Sequence, residues 1–140
     1  PKGLSNPESL RKYVGSCRWN FMGNIVPGKT SVYEIISKMN FLYDNLKKLD
    51  KSTVVFYNIE KNTKDDFYHS HFLISSSLKN KEIKELLFLI CENELNGEKR
   101  IDLKKYDLVK YQFRGSLYSD KFGKYDTKHH SPYIHSQLLG

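Results

Sequence analysis

The sequence predicts an α+β fold, an antiparallel sheet with helices packed on it, and three observations lead there. Two segments repeat apolar residues at helical spacing: one over 32–49, and one that carries Ile83, Leu86, Leu87 and Ile90. Segments rich in β-branched and aromatic residues flank both. A length of 140 residues, 39% of them apolar and 28% charged, gives one domain with a real core and no room for two.

Taken in order, residues 1–12 hold Pro, Gly and Ser with little periodicity and read as a loose arm. The opening Pro-Lys-Gly, without a methionine, points to a piece of a longer protein. Aromatic and β-branched types over 13–26 predict a first strand at about 16–24, broken by Pro27-Gly28. Ser31 followed by Glu34 has the form of a capping box. Behind it Val32, Ile35, Ile36, Met39, Leu42, Leu46 and Leu49 define a helix over 32–49. Residues 53–60 and 67–75 read as two strands of a hairpin with a polar connection at 61–66. The second helix follows, with Gly97 placed as its C-terminal stop. Residues 99–113 alternate loosely, as a strand pair or one bent strand. A short helix is expected at 115–125 and a loop tail at 126–140. The order β-α-β-β-α-β, with a last helix, is that of a ferredoxin-like split βαβ sheet.

No apolar run approaches the roughly 18–20 residues of a membrane span, and no signal peptide leads the chain. With two cysteines, Cys17 and Cys91, and no CxxC, the expectation is free thiols in a cytoplasmic protein. The formal charge of +7 is uneven: residues 1–30 and 98–140 each carry +4, while 31–97 carry −1. Basic ends together with 19 aromatic residues favour a polyanionic partner, nucleic acid first among them.

His69-Ser70-His71 lies inside the second hairpin strand, so the two imidazoles share a face about 6–7 Å apart. Two imidazoles so placed can share a divalent ion if a third ligand lies on the neighbouring strand, and Glu60 is the candidate. With Glu60 paired to Phe67, His69 would stand opposite Asn58 and Glu60 would be its diagonal neighbour. The bland alternative is a pair of surface histidines on the open face of a half-buried sheet. Downstream, Tyr118 and Lys121 stand three apart, neighbours on a helix. A phenol attacking a phosphodiester needs an exit for its proton and positive charge near the phosphorus, which a metal and a lysine supply. Alone, Tyr-x-x-Lys is a weak pattern. Arg18, Trp19, Asn20 and Phe21 could line a nucleic-acid groove, and Lys99, Arg100, Lys104, Lys105, Lys110 and Arg114 could track phosphates. Core packing for the aromatics and a solvated strand edge for the lysines are the alternatives. His129, His130 and His135 read as surface or phosphate-contacting side chains.

An acidic residue ending one strand, an HxH on the next, a helix, and then YxxK is an ordered layout that resembles the HUH endonuclease superfamily. The resemblance runs over roughly residues 16–125 and is nearest to rolling-circle replication initiators of plasmids and phages. It implies a single endonuclease domain over 1–140 that nicks and rejoins single-stranded DNA through a 5′-phosphotyrosine. On it, His69, His71 and Glu60 hold Mg²⁺ or Mn²⁺, Tyr118 is the nucleophile and Lys121 its helper. The partners it implies are single-stranded or hairpin origin DNA and host replication proteins, with no membrane. Ser70 departs from the usual hydrophobic residue between the histidines, and Tyr125, with Lys128 three residues on, is a rival nucleophile. Transposases and relaxases share this chemistry. A non-catalytic, RRM-like nucleic-acid-binding module is the reading from another class.

Overall fold

The computed structural model describes residues 17–95, 97–106 and 133–140. Its elements are β1 (Phe21–Ile25), α1 (Val32–Leu49), β2 (Val54–Lys61), β3 (Tyr68–Ser75) and α2 (Asn80–Ile90). The short β4 (Glu94–Leu95) and β5 (Glu98–Lys99) follow, then β6 (Ile101–Lys105) and β7 (Tyr133–Leu139). Five strands form one antiparallel sheet in the order β6-β1-β3-β2-β7, and β4 pairs only with β5. The architecture is mixed α+β, and no helix among the described residues is long and apolar enough to cross a membrane.

α1 has the predicted bounds. Ser31 accepts a hydrogen bond from the Glu34 amide at 3.2 Å, satisfying one of the helix's orphan donors. The Glu34 carboxylate turns to the Thr30 hydroxyl, 2.9 Å away. Ile35, Met39, Leu42 and Leu46 are fully buried, whereas Leu49, at the end of the same stripe, is exposed. α2 buries Ile83, Leu87 and Ile90, and the Lys38 ammonium donates to the Ile90 carbonyl at 2.7 Å, tying the two helices together. Both helices cover one face of the sheet, where Val55, Tyr57, Ile59, Phe72 and Ile74 complete the core. The opposite face has a smaller cluster of Trp19, Phe56 and Leu73, so β2 is buried on both sides from Val55 to Glu60.

Three expectations are corrected by the structure. The first strand begins at Phe21 rather than 16. α2 stops at Ile90 because Cys91 is extended; Gly97, at φ +79°, instead makes the tight turn between β4 and β5. Within the 99–113 stretch, Lys99 closes β5 and Ile101–Lys105 form β6, while residues 107–113 lie outside the described residues. Residues 133–139, expected as loop, are an edge strand on β2. The arm 1–12 and the helix expected at 115–125 lie outside the described residues. Gly23 meets a close approach of strands: a Cβ there would strike the Asp102 carbonyl, with the Phe72 ring 2.8 Å away. Neither cysteine forms a disulfide, and burial pushes the Cys91 thiol pKa up, away from reactivity.

Candidate metal centre

β2 and β3 meet in a register that sets Glu60 directly opposite His69 and Asn58 opposite His71. This corrects the expected pairing by two residues, because β2 runs on to Lys61 before turning. A two-residue shift keeps every side chain on its face, so the three ligand candidates remain together. The connection is built for this register. The Asn62 N–H donates to the Phe67 carbonyl at 2.8 Å, and Asp65 Oδ1 accepts from the Phe67 N–H at 2.8 Å and from the Asn62 amide at 2.9 Å. On the other side, the β2–β7 register shifts between Ile59 and Glu60, an irregularity of the kind that re-aims side chains beside functional sites.

Glu60 is nearly buried, with 9% of its side chain exposed, against 18% and 21% for His69 and His71. Glu60 Oε2 lies 3.6 Å from His69 Nε2, and Oε1 lies 4.0 Å from His71 Nε2. The rings are nearly perpendicular at 86°, their centroids 5.0 Å apart, closer than ideal strand spacing predicts. One ligand atom from each residue falls within 4.8 Å of the other two. An ion with bonds of about 2.0–2.2 Å needs its ligand atoms roughly 3–4 Å apart, so modest rotamer shifts close this set around one cation. His69 is oriented from behind: its Nδ1 lies 2.7 Å from Asn62 Oδ1. With the proton on Nδ1, donated to Asn62, the Nε2 lone pair faces Glu60.

Asn58 supplies the test of fit. It is fully buried, two residues before Glu60 on the same face, and neither amide atom has a hydrogen-bond partner among the described residues. Buried amides without partners are rare and costly. A polar occupant between β2 and β3 would relieve this one, and one carboxylate with two imidazoles suits a divalent cation. Ser70, between the histidines, faces the helices and donates to the Asn58 carbonyl at 2.8 Å, so its polarity is absorbed without touching the site.

A cleft of about 380 Å³ opens beside the three residues, bounded also by Asn24, Lys61, Lys64, Lys99 and Arg100. Of the expected nucleic-acid contacts, Arg18, Lys104 and Lys105 are exposed. Trp19 is not available as a stacking platform: at 1% exposure it packs with Phe56 and Leu73, which corrects that expectation. Asn20 is exposed yet committed, its Oδ1 accepting from the Ser76 N–H at 2.7 Å. His135 lies on the helix-covered face beside Tyr57, away from the Glu60 side. Tyr118, Lys121, Arg114, Tyr125, His129 and His130 lie outside the described residues. Sequence reasoning missed Asn58 and Asn62 as parts of the site. Only their positions, two before and two after Glu60, could have drawn attention to them.

The chain matches no protein-family model, no curated protein and no solved structure.

Proposed function

We propose that the chain is a divalent-metal-dependent enzyme that nicks and rejoins single-stranded DNA at a specific site through a covalent tyrosine link, as initiators of rolling-circle replication do. The observation that carries the reading is the convergence of a nearly buried carboxylate on β2 with two imidazoles from one face of β3. Scattered surface histidines would have no reason to flank a buried glutamate. The strand order β6-β1-β3-β2 supports the finer assignment to a ferredoxin-like split βαβ sheet, with β7 added at the edge.

In this proposal Glu60, His69 and His71 hold Mg²⁺ or Mn²⁺, with Asn62 fixing the His69 ring and Asn58 offering a further oxygen. A cation held there would supply Lewis-acid chemistry that offsets charge developing on the phosphodiester. The Tyr118 hydroxyl then attacks phosphorus. A tyrosyl O–P bond forms as the phenol loses its proton to solvent, the P–O3′ bond breaks, and the departing 3′ oxygen takes up a proton from solvent to become a free 3′-OH. Lys121 balances the charge on the attacking oxygen. Rejoining is the reverse, with a 3′-OH attacking the phosphotyrosine. Arg18, Lys104 and Lys105, with Arg114, would follow the strand's phosphates.

The test uses end-labelled single-stranded DNA carrying candidate origin hairpins, incubated with the chain and Mn²⁺ and run on a denaturing gel with and without protease. The expected product is a protein–DNA adduct that disappears with chelator and in Tyr118→Phe. In His69→Ala it should fall by about 100-fold or more. Adduct loss in Tyr125→Phe instead would move the nucleophile. Tight, metal-independent binding without adduct would favour the binding-module reading.

A further inference from the structure

The cleft that holds the histidines is lined also by Arg100, a cation with one long ion pair. Arg100 has only 15% of its side chain exposed, and its Nε is buried with no hydrogen-bond partner among the described residues. Its ion pair with Glu98 is long, Nη2 to Oε2 at 3.7 Å, and that carboxylate is 68% exposed. A guanidinium carries five N–H donors in a rigid fork, and burying it without matched acceptors is costly. The backbone at this point is firmly held. The Arg100 N–H donates to the Asn93 carbonyl and its own carbonyl accepts from the Val26 N–H, each at 2.8 Å. The side chain therefore starts from a fixed point between β5 and β6.

Its surroundings call for an anion. Arg100, Lys61, Lys64 and Lys99 border the cleft. Lys61 is paired with Asp66 at 3.3 Å and Lys99 with Asp102 at 3.8 Å, both on the solvent side. The Asp65 carboxyl is held below its usual range, first by the Phe67 N–H and the Asn62 amide, with smaller contributions from Arg100 and His69. Arg100 and His69 thus act on one carboxylate from the same cleft, but Asp65 is already occupied by its own loop, and the Arg100 Nε is left without a hydrogen-bond partner among the described residues.

We propose that Arg100 forms an anion subsite beside the Glu60, His69 and His71 centre and takes a phosphate group in a forked, charge-assisted contact. The proposal rests on the reading of that centre as a phosphodiester-processing site. There Arg100 would hold a non-bridging oxygen of the strand, a positioning contact distinct from the ligands and from the nucleophile.

The experiment titrates inorganic phosphate into the full chain, with and without Mn²⁺, following ³¹P line width and heat, in wild type, Arg100→Lys and Arg100→Gln. Mn²⁺ affinity is read separately by electron paramagnetic resonance, and acetate serves as the control anion. The expected result is phosphate binding weakened by about tenfold or more in Arg100→Gln and partly kept in Arg100→Lys, since lysine retains the charge but not the fork. Mn²⁺ affinity and melting temperature should stay near wild type, and acetate should bind far more weakly than phosphate. Equal phosphate affinity in wild type and Arg100→Gln would overturn the proposal, as would a wild type that binds no phosphate. Parallel loss of Mn²⁺ affinity in Arg100→Gln would also overturn it, by making Arg100 a support of the metal ligands. Should the wild type bind no Mn²⁺ while phosphate binding still depends on Arg100, the metal reading fails and the subsite stands.

Discussion

Asn58 concentrates the conflict between stability and chemistry in one side chain. Its amide lies at 0% exposure with neither nitrogen nor oxygen bonded among the described residues, on the face shared by Glu60 and His71. An apolar residue of similar size would remove that desolvation penalty, and a β-branched one suits a buried strand. Asn58→Val is therefore expected to raise unfolding free energy by about 1–2 kcal/mol while weakening Mn²⁺ binding by about tenfold. Chemical denaturation and calorimetric titration measure the two halves. Lower stability, or unchanged Mn²⁺ affinity, would detach Asn58 from the site. Part of this site was legible in the chain. An HxH in a strand places both imidazoles on one face whatever the register, and Glu60 ends the strand before it. Asn58 was hidden because an asparagine in a strand has no meaning until its partners are counted. Arg100 stands out only as one of a run of basic residues that could track phosphates; its burial in the cleft of the histidines depends on long-range pairing that the run does not show.

Among the elements, the helices were readable because their signals are local: a capping serine and a 3.6-residue stripe. The edge strand β7 was not, since its pairing with β2 spans some 80 residues of chain and depends on long-range closure. Gly97 misled for a related reason: a glycine after an apolar stripe marks a stop, but it cannot say whether a helix or a hairpin ends there. The join between α1 and the β3–α2 connection rests on Asp50. Its carboxylate accepts from the Ser52 N–H at 3.0 Å, the Ser52 hydroxyl at 2.6 Å and the Ser76 hydroxyl at 3.0 Å. It also takes the Ser77 N–H at 2.7 Å and the Ser77 hydroxyl at 3.0 Å. Led by the Ser52 hydroxyl and then the Ser77 and Ser52 amides, these bonds hold its pKa far below the ordinary 3.8. A depressed carboxyl contributes stability that is present above its ordinary value and lost as pH falls through the folded one. Asp50→Ala should therefore lower the melting temperature fully at pH above about 5, with the gap to wild type narrowing towards about pH 2. A gap independent of pH across thermal melts would show that the charge of Asp50 plays no part.

At the scale of the whole molecule, the fold divides labour between the two faces of its sheet. One face is closed by α1 and α2 over a continuous apolar core. The other carries a small cluster of Trp19, Phe56 and Leu73 beside the polar stretch of Asn58, Glu60, His69 and His71. The uneven charge in the chain gains a spatial meaning, because β1 and β6 are neighbours. Arg18, just before β1, and the β6 lysines therefore come from the two basic ends of the sequence to neighbouring strands, with Lys105 on the helix-covered face and Lys104 on the face of the candidate site. A polyanion bound there would run beside the acidic and histidine-lined cleft. This part of the reading was legible as composition but not as position, since net charge says nothing about which strands pair. All of it depends on one claim, that Glu60, His69 and His71 hold a divalent cation. Crystals of the chain soaked in Mn²⁺ and measured on both sides of the manganese absorption edge test that claim most directly. One strong anomalous peak is expected within about 2.0–2.3 Å of a Glu60 carboxylate oxygen and both Nε2 atoms, absent in Glu60→Gln soaked in the same way. Manganese elsewhere on the surface, with these three side chains bare, would contradict it.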